Sequence, residues 1–95
     1  MAGERVLVVE DEINIARLVR AYLERDGYVV GGAGDGAEAC GLLDTWHPDL
    51  VILDLMLPRV DGWEVCRRIR SRPGADGRIP VIMLTAKGEE FDRVL

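Results

Sequence analysis

The sequence predicts an α/β domain whose sheet is parallel and is covered by helices on both faces. Two short runs of consecutive apolar residues, 6–9 and 50–53, are typical of strands that are buried on both faces. Strand-like and helix-like segments alternate three times with short links, and a further strand-like segment follows. This alternation requires parallel strands joined by right-handed crossovers, and residues 1–95 are expected to form one domain.

Charge and composition exclude several classes of protein. The net charge of −5 argues against direct binding of nucleic acid, because phosphate contacts need a basic surface. No apolar run approaches the roughly 20 residues of a membrane helix, and the N-terminus lacks the pattern of a signal peptide. We therefore expect a cytoplasmic protein without membrane contact. Cys40 and Cys66 lack metal-ligand spacing and are expected to be buried, reduced thiols.

The first half of the chain predicts a strand, a helix, a strand and a helix in turn. The first strand covers residues 5–9, and the helix after it carries one apolar stripe that is expected to face the core. The stripe consists of Ile15, Leu18, Val19, Tyr22 and Leu23. A second strand is expected over 28–30. Residues 31–36 are predicted to form a glycine-dense loop in which Asp35 caps a helix over 36–46.

The second half continues the same alternation. A third strand is expected over 50–54, a third helix over 62–71 and a fourth strand over 79–84. The residues that follow, 87–95, are predicted to be a loop that leads into a fourth helix.

Four oxygen-bearing side chains stand where three of the predicted strands end. Glu10 and Asp11 follow the first strand, Asp54 ends the third, and Thr85 ends the fourth. If these strands are neighbours, the side chains meet at one edge of the sheet, where three carboxylates need a cation or a shared proton. Hard oxygen ligands with room for water suit Mg²⁺. Each residue also has a local interpretation, as a helix-terminal charge, a turn residue or a helix cap.

Three blocks of sequence carry these residues at characteristic spacings. They are Val-Val-Glu10-Asp11-Glu, Leu-Asp54-Leu-Met-Leu-Pro58-x-x-Asp-Gly62 and Met-Leu-Thr85-Ala86. Together they resemble the receiver domain of bacterial two-component response regulators, and most closely the receivers that precede a winged-helix DNA-binding domain. The family has a flavodoxin-like (CheY-like) doubly wound parallel sheet, so the resemblance implies the strand order 2-1-3-4 here.

The resemblance also implies a function. Asp54 would accept a phosphoryl group from a sensor histidine kinase, and Thr85 would hydrogen-bond a phosphoryl oxygen as the switch. Mg²⁺ would be bound by Asp11, by Asp54 and by the backbone carbonyl of Met56, with Glu10 acting largely through water. The domain would promote its own phosphorylation and dephosphorylation at most, so it is not expected to be a turnover enzyme. Its effector domain, of DNA-binding type, would lie outside this chain.

The sequence departs from the family after the fourth strand. The family's fifth strand and last helix are missing, as is the lysine that binds the phosphoryl group; Lys87 stands at a different place. We therefore expect a receiver truncated at its C-terminal side, with impaired phosphorylation. The fourth strand would become an unpaired edge, which predicts a homodimer formed through that strand or by exchange of the fourth-helix segment.

Other functions compete with the phosphoacceptor. The chain could serve only as a dimerising or interaction module that is not phosphorylated. A Mg²⁺-dependent phosphatase with an aspartate nucleophile usually carries a second acid two residues further on, where this chain has Met56. A mononucleotide-binding domain would need a phosphate loop after the first strand, and none is present. The phosphoacceptor and the phosphatase both predict Mg²⁺-dependent chemistry at Asp54, and the interaction module predicts none.

Overall fold

The computed structural model of the chain describes residues 3–54, 57 and 61–84, and the backbone of 93–94. The strands are β1 (Arg5–Val9), β2 (Val29–Ala33), β3 (Leu50–Asp54), β4 (Val81–Leu84) and β5 (Arg93–Val94). The helices are α1 (Ile13–Arg25), α2 (Gly36–Thr45) and α3 (Gly62–Arg70), and a short 3₁₀ helix spans Gly74–Arg78.

The central part of the sheet has the predicted order. β1 lies between β2 and β3, β4 lies beyond β3, and all three pairings are parallel. The strand order 2-1-3-4 is therefore confirmed. The register places Val9 opposite Leu53, and Asp54 opposite Leu84. The carboxyl ends of β1, β3 and β4 consequently lie side by side at one edge of the sheet.

The outer side of β4 differs from the expectation. Residues 93–94 form a strand rather than part of a helix, and this strand pairs antiparallel with β4, with Met83 opposite Arg93. The expectation of an unpaired edge at β4 is thus wrong at this point, because an exposed strand edge can bind any extended segment that reaches it. The pairing removes the argument for a homodimer through β4. Residues 85–92 lie outside the described part of the chain.

Strand β2 is longer than predicted. The glycine-dense segment was expected to be a loop, but Gly31 and Gly32 are paired with Leu7 and Val8 of β1, and the strand ends at Ala33. Glycine is a poor strand former on its own, so the pairing with β1 decides the conformation here. The following prediction is confirmed: the side chain of Asp35 accepts a hydrogen bond from the backbone N–H of Glu38 at 2.9 Å and caps α2.

The larger hydrophobic core lies between the sheet and the helix pair α2 and α3. Side chains that alternate along β3 and β4 point to this core, which is why their exposure alternates along each strand. The helices contribute their buried apolar residues, namely Ala39, Leu43, Val65, Cys66 and Ile69. These layers hold β3 rigidly and therefore fix the position of its last residue. Both cysteines are free thiols; Cys66 is buried and Cys40 only partly so.

Helix α1 covers the other face of the sheet incompletely. None of its residues is fully buried, and only Val19 and Leu23 of the predicted stripe pack against the smaller core formed by Val6, Val8 and Val30. The rest of the stripe is exposed, with Leu18 at 57% and Tyr22 at 56%. The expectation that the whole stripe faces the core is wrong, because the stripe is wider than the contact that α1 makes with β1 and β2. Among the described helices, none combines the length and the apolar character required to span a bilayer.

Candidate metal centre

Three carboxylates meet at the carboxyl edge of the sheet. Glu10, Asp11 and Asp54 each place one oxygen so that all three oxygens lie within 4.8 Å of one another. The structure thus brings together three of the residues that the sequence singled out. Thr85 and Met56, the other two, lie outside the described residues, as do Pro58 and Lys87.

The end of β1 and the start of α1 position the first two carboxylates. The backbone N–H of Glu10 donates to the carbonyl of Ala33 at 3.0 Å, which ties the residue after β1 to the end of β2. The side chain of Glu12 accepts from the N–H of Asn14 at 2.9 Å and caps α1. The N–H of Glu12 in turn donates to the carboxylate of Glu10 at 3.0 Å. This last contact was not predicted, because the sequence shows acidic residues before a helix but not which of them caps it.

The third carboxylate is placed by the core beneath it. Asp54 is the last residue of β3, lies opposite Leu84 of β4, and has an exposure of 5%. It is the only charged residue among the buried residues described. The three carboxylates differ in depth, since Asp11 is exposed, Glu10 is half-buried and Asp54 is buried. The cluster therefore has a deep end at β3 and an open end at the solvent.

Burial and the neighbouring carboxylates change the acidity of Glu10. The pKa of Glu10 is raised from 4.5 to about 7, first because burial disfavours the charged form. The N–H of Glu12 lowers this pKa, while the negative charges of Asp54 and Asp11 and a hydrogen bond with Asp54 raise it. At acidic pH, Glu10 is thus protonated and shares its proton with Asp54. A bound cation would remove the repulsion and release that proton.

The donor set fits a hard divalent cation. All three groups are carboxylates, which together with water are the ligands that Mg²⁺ takes in proteins. Mg²⁺ keeps several waters and uses one or two carboxylates directly, which agrees with a cluster that is open on the side of Asp11. Soft metals would require thiols, and neither Cys40 nor Cys66 is part of the cluster.

Helix α3 packs against the larger core. Asp61 caps this helix by accepting from the N–H of Glu64 at 2.9 Å, and Gly62, its first residue, is buried. The Asp61-Gly62 pair, which ends the second sequence block, therefore marks the start of α3. Leu57, between the cluster and the helix, is 8% exposed and joins the larger core.

Comparison with known proteins identifies the family. Residues 6–94 match the model of the response regulator receiver domain. The chain belongs to this family and is a receiver domain of the two-component response regulators. Its fold, its acidic cluster and its sequence blocks agree on this point.

Two proteins that this chain is similar to are transcriptional regulators. The chain is 49% identical over 93 residues to the alkaline phosphatase synthesis transcriptional regulatory protein PhoP of Bacillus subtilis, covering 98% of this chain and 38% of PhoP. It is 50% identical over 90 residues to the phosphate regulon transcriptional regulatory protein PhoB of Rhizobium meliloti, covering 95% and 39%. The chain thus spans about two-fifths of the length of these relatives.

Solved structures show the same fold. A response regulator from Chloroflexus aurantiacus superposes with a TM-score of 0.86 at 34% identity, covering 93% of this chain and 71% of that one. The response regulator TrrA of Thermotoga maritima, solved in complex with Mg(2+)-BeF, gives a TM-score of 0.81 at 38% identity, covering 90% and 71%.

Proposed function

We propose that this chain is a phosphoacceptor and that the carboxylate of Asp54 receives the phosphoryl group. The observation that carries the proposal is the buried position of Asp54 at the end of β3, within reach of the carboxylates of Glu10 and Asp11. A nucleophile must be held rigidly and presented to a donor at an accessible edge. The Mg(2+)-BeF complex of the Thermotoga relative supports a site of this kind.

The residues of the cluster have separate roles in this proposal. An oxygen of Asp54 forms the new bond to phosphorus, and the bond between phosphorus and the donor breaks, leaving the electron pair on the donor. Asp11 and Asp54 would hold Mg²⁺, and Glu10 would act on the cation largely through water. The cation supplies positive charge that offsets the charge on the phosphoryl oxygens. Without the cation, Glu10 is protonated below about pH 7 and forms a hydrogen bond with Asp54.

The donor in the cell is proposed to be a sensor histidine kinase. Such a partner must approach the edge at which Asp54 lies, and α1 begins at that edge, two residues after Asp11. The helix exposes large apolar side chains there, with Ile13 at 62% and Leu18 at 57%. Exposed apolar residues beside a reactive group are typical of a protein contact. We assign this surface of α1 to the kinase.

We propose the role of the whole protein from its relatives. They are transcriptional regulators, so an effector domain that binds DNA would act together with this receiver. The receiver itself would take up one phosphoryl group per molecule and would not turn over a substrate. A cytoplasmic location remains a prediction.

Intact mass spectrometry tests the phosphoacceptor. After incubation with Mg²⁺ and acetyl phosphate, the chain is expected to gain the mass of one phosphoryl group. Asp54→Asn should gain none, while the matched control Asp26→Asn, at the far end of α1, should behave like the parent chain. Circular dichroism verifies that each variant is folded. An adduct that persists in Asp54→Asn would contradict the assignment of the nucleophile.

A protein donor tests the kinase-docking surface of α1 separately from the chemistry at Asp54. Leu18→Ser is expected to slow transfer from a phosphorylated histidine kinase by roughly tenfold, the effect of losing one apolar contact of about 1.4 kcal/mol. Phosphorylation by acetyl phosphate should be unchanged, because that donor needs no protein contact. Equal slowing with both donors would argue against the docking surface.

The exposed surface of α1 also supports a second candidate function. A chain that is folded but gains no adduct from either donor would fit an interaction module. Binding to the kinase would then remain and would still depend on Leu18.

A further inference from the structure

A groove separates α1 from the β1–β2 part of the sheet. Its volume is about 330 Å³, which is within the lower range of small-molecule sites. The floor is formed by Val8 and Val30, and the wall by Ala16 and Ile13 of α1. The groove lies on the sheet face opposite to α2 and α3, outside the acidic cluster. The groove shares Ile13 with the surface that we assign to the kinase, but its floor has no part in the phosphoacceptor function.

The groove exists because β2 lacks side chains there. Gly31 and Gly32 both line it. A Cβ added to Gly31 would lie 3.0 Å from the ring of Trp46 on the opposite face, whereas a Cβ added to Gly32 would meet no atom within 4 Å. Gly32 thus leaves open the space that an ordinary strand residue would fill on the α1 side. Its backbone has no positive φ, so the strand itself does not require glycine at this position.

One net positive charge stands at the mouth of the groove. Arg20 donates a hydrogen bond to the carbonyl of Val30 at 2.7 Å, and its guanidinium lies 3.7 Å from the carboxylate of Glu24. Arg17 also lines the groove, and it forms no hydrogen bond or ion pair with any residue that the structure describes. In a chain with a net charge of −5, an unpaired guanidinium over an apolar floor is a specific chemical feature.

We infer that this groove binds a small alkyl carboxylate, with its chain on Val8 and Val30 and its head group at Arg17. The apolar floor selects a hydrocarbon body, and the guanidinium of Arg17, which has no ion-pair partner among the described residues, favours an anionic head group such as a carboxylate. At roughly 30 Å³ for each non-hydrogen atom, as for water in the liquid, the volume holds about ten such atoms. Octanoate has this size.

Titration with octanoate, followed by amide chemical shifts in NMR, tests the inference. Saturable shifts are expected at the residues that line the groove, with a dissociation constant on the order of 1 mM, as suits a ligand of this size. Octan-1-ol, which has the same hydrocarbon chain but lacks the charge, is expected to bind more weakly. Equal or tighter binding of octan-1-ol would overturn the assignment of the head group.

Two variants and a control locate the ligand. Gly32→Ile fills the groove and is expected to weaken octanoate binding at least tenfold, and Arg17→Gln should weaken it by about tenfold through loss of a charge-assisted contact. Arg25→Gln, on the same helix but outside the groove, should leave binding unchanged. The dispersion of the amide spectrum shows whether Gly32→Ile is folded, and Arg17→Gln alters only an exposed side chain. Absence of saturable binding, or binding that neither groove variant weakens, would overturn the inference.

Discussion

Magnesium is expected to raise the midpoint of thermal unfolding by on the order of 10 °C when its concentration is about 100 times the dissociation constant. A ligand that binds only the folded state adds about 2.7 kcal/mol at that ratio, and each kcal/mol shifts the midpoint of a small domain by about 4–8 °C. The effect is large here because the folded chain holds Glu10, Asp11 and Asp54 together before the ion arrives. The unfolded chain separates them and loses the site.

Replacement of Asp11 tests whether the cluster causes this shift. Asp11→Asn is expected to abolish most of the Mg²⁺-induced increase, because the exposed carboxylate at the open end of the cluster is a direct ligand in the proposal. The variant should remain folded without the ion, since it removes a repulsion between carboxylates. Asp26→Asn removes an equal charge away from the cluster and serves as the control. A full shift in Asp11→Asn, or none in the parent chain, would contradict the metal site.

Without divalent cations, the free energy of unfolding is expected to fall as the pH rises from about 4.5 to about 7. The pKa of Glu10 is raised in the folded chain, so the folded state binds the proton more tightly than the unfolded state does. The stabilisation from this proton is therefore fully present below about 4.5 and is lost as the pH passes about 7. Water screens the half-buried side chain and reduces the effect, but the direction is fixed.

The difference between the parent chain and Glu10→Gln isolates this contribution. Glutamine does not titrate, so the free energy of unfolding of the parent should fall relative to that of the variant as the pH rises from about 4.5 to about 7. Above about pH 7, the difference between the two should be constant. Saturating Mg²⁺ should flatten the difference, because a cation offsets the charges that raise the pKa. Urea unfolding at several pH values provides the measurement. A difference that does not depend on pH would show that Glu10 has an ordinary pKa.

Much of the fold was predictable because local signals and the buried strands agree. Continuous apolar runs identified β1 and β3, and Asp35 marked the start of α2 through its capping side chain. The convergence of Glu10, Asp11 and Asp54 followed from the rule that parallel strands end at one edge of the sheet. The roles of these residues came from the resemblance to a family, not from spacing.

The errors concern features that depend on neighbours in space. Periodicity identified the apolar stripe of α1, but it could not show that only Val19 and Leu23 would find a surface to pack on. The glycines of β2 suggested a loop, and pairing with β1 overrode that preference. The antiparallel pairing of residues 93–94 with β4 is a contact between segments whose register no local pattern specifies.

The most direct test of the phosphoacceptor is to locate the phosphoryl group in the chain. Borohydride reduction of the phosphorylated chain converts an aspartyl phosphate to homoserine, and tandem mass spectrometry of the peptides then identifies the position. We expect homoserine at Asp54, with none at Asp11 or Asp61 and none in a sample prepared with a chelator in place of Mg²⁺. Homoserine at another aspartate, or its formation at Asp54 without the metal, would contradict the account.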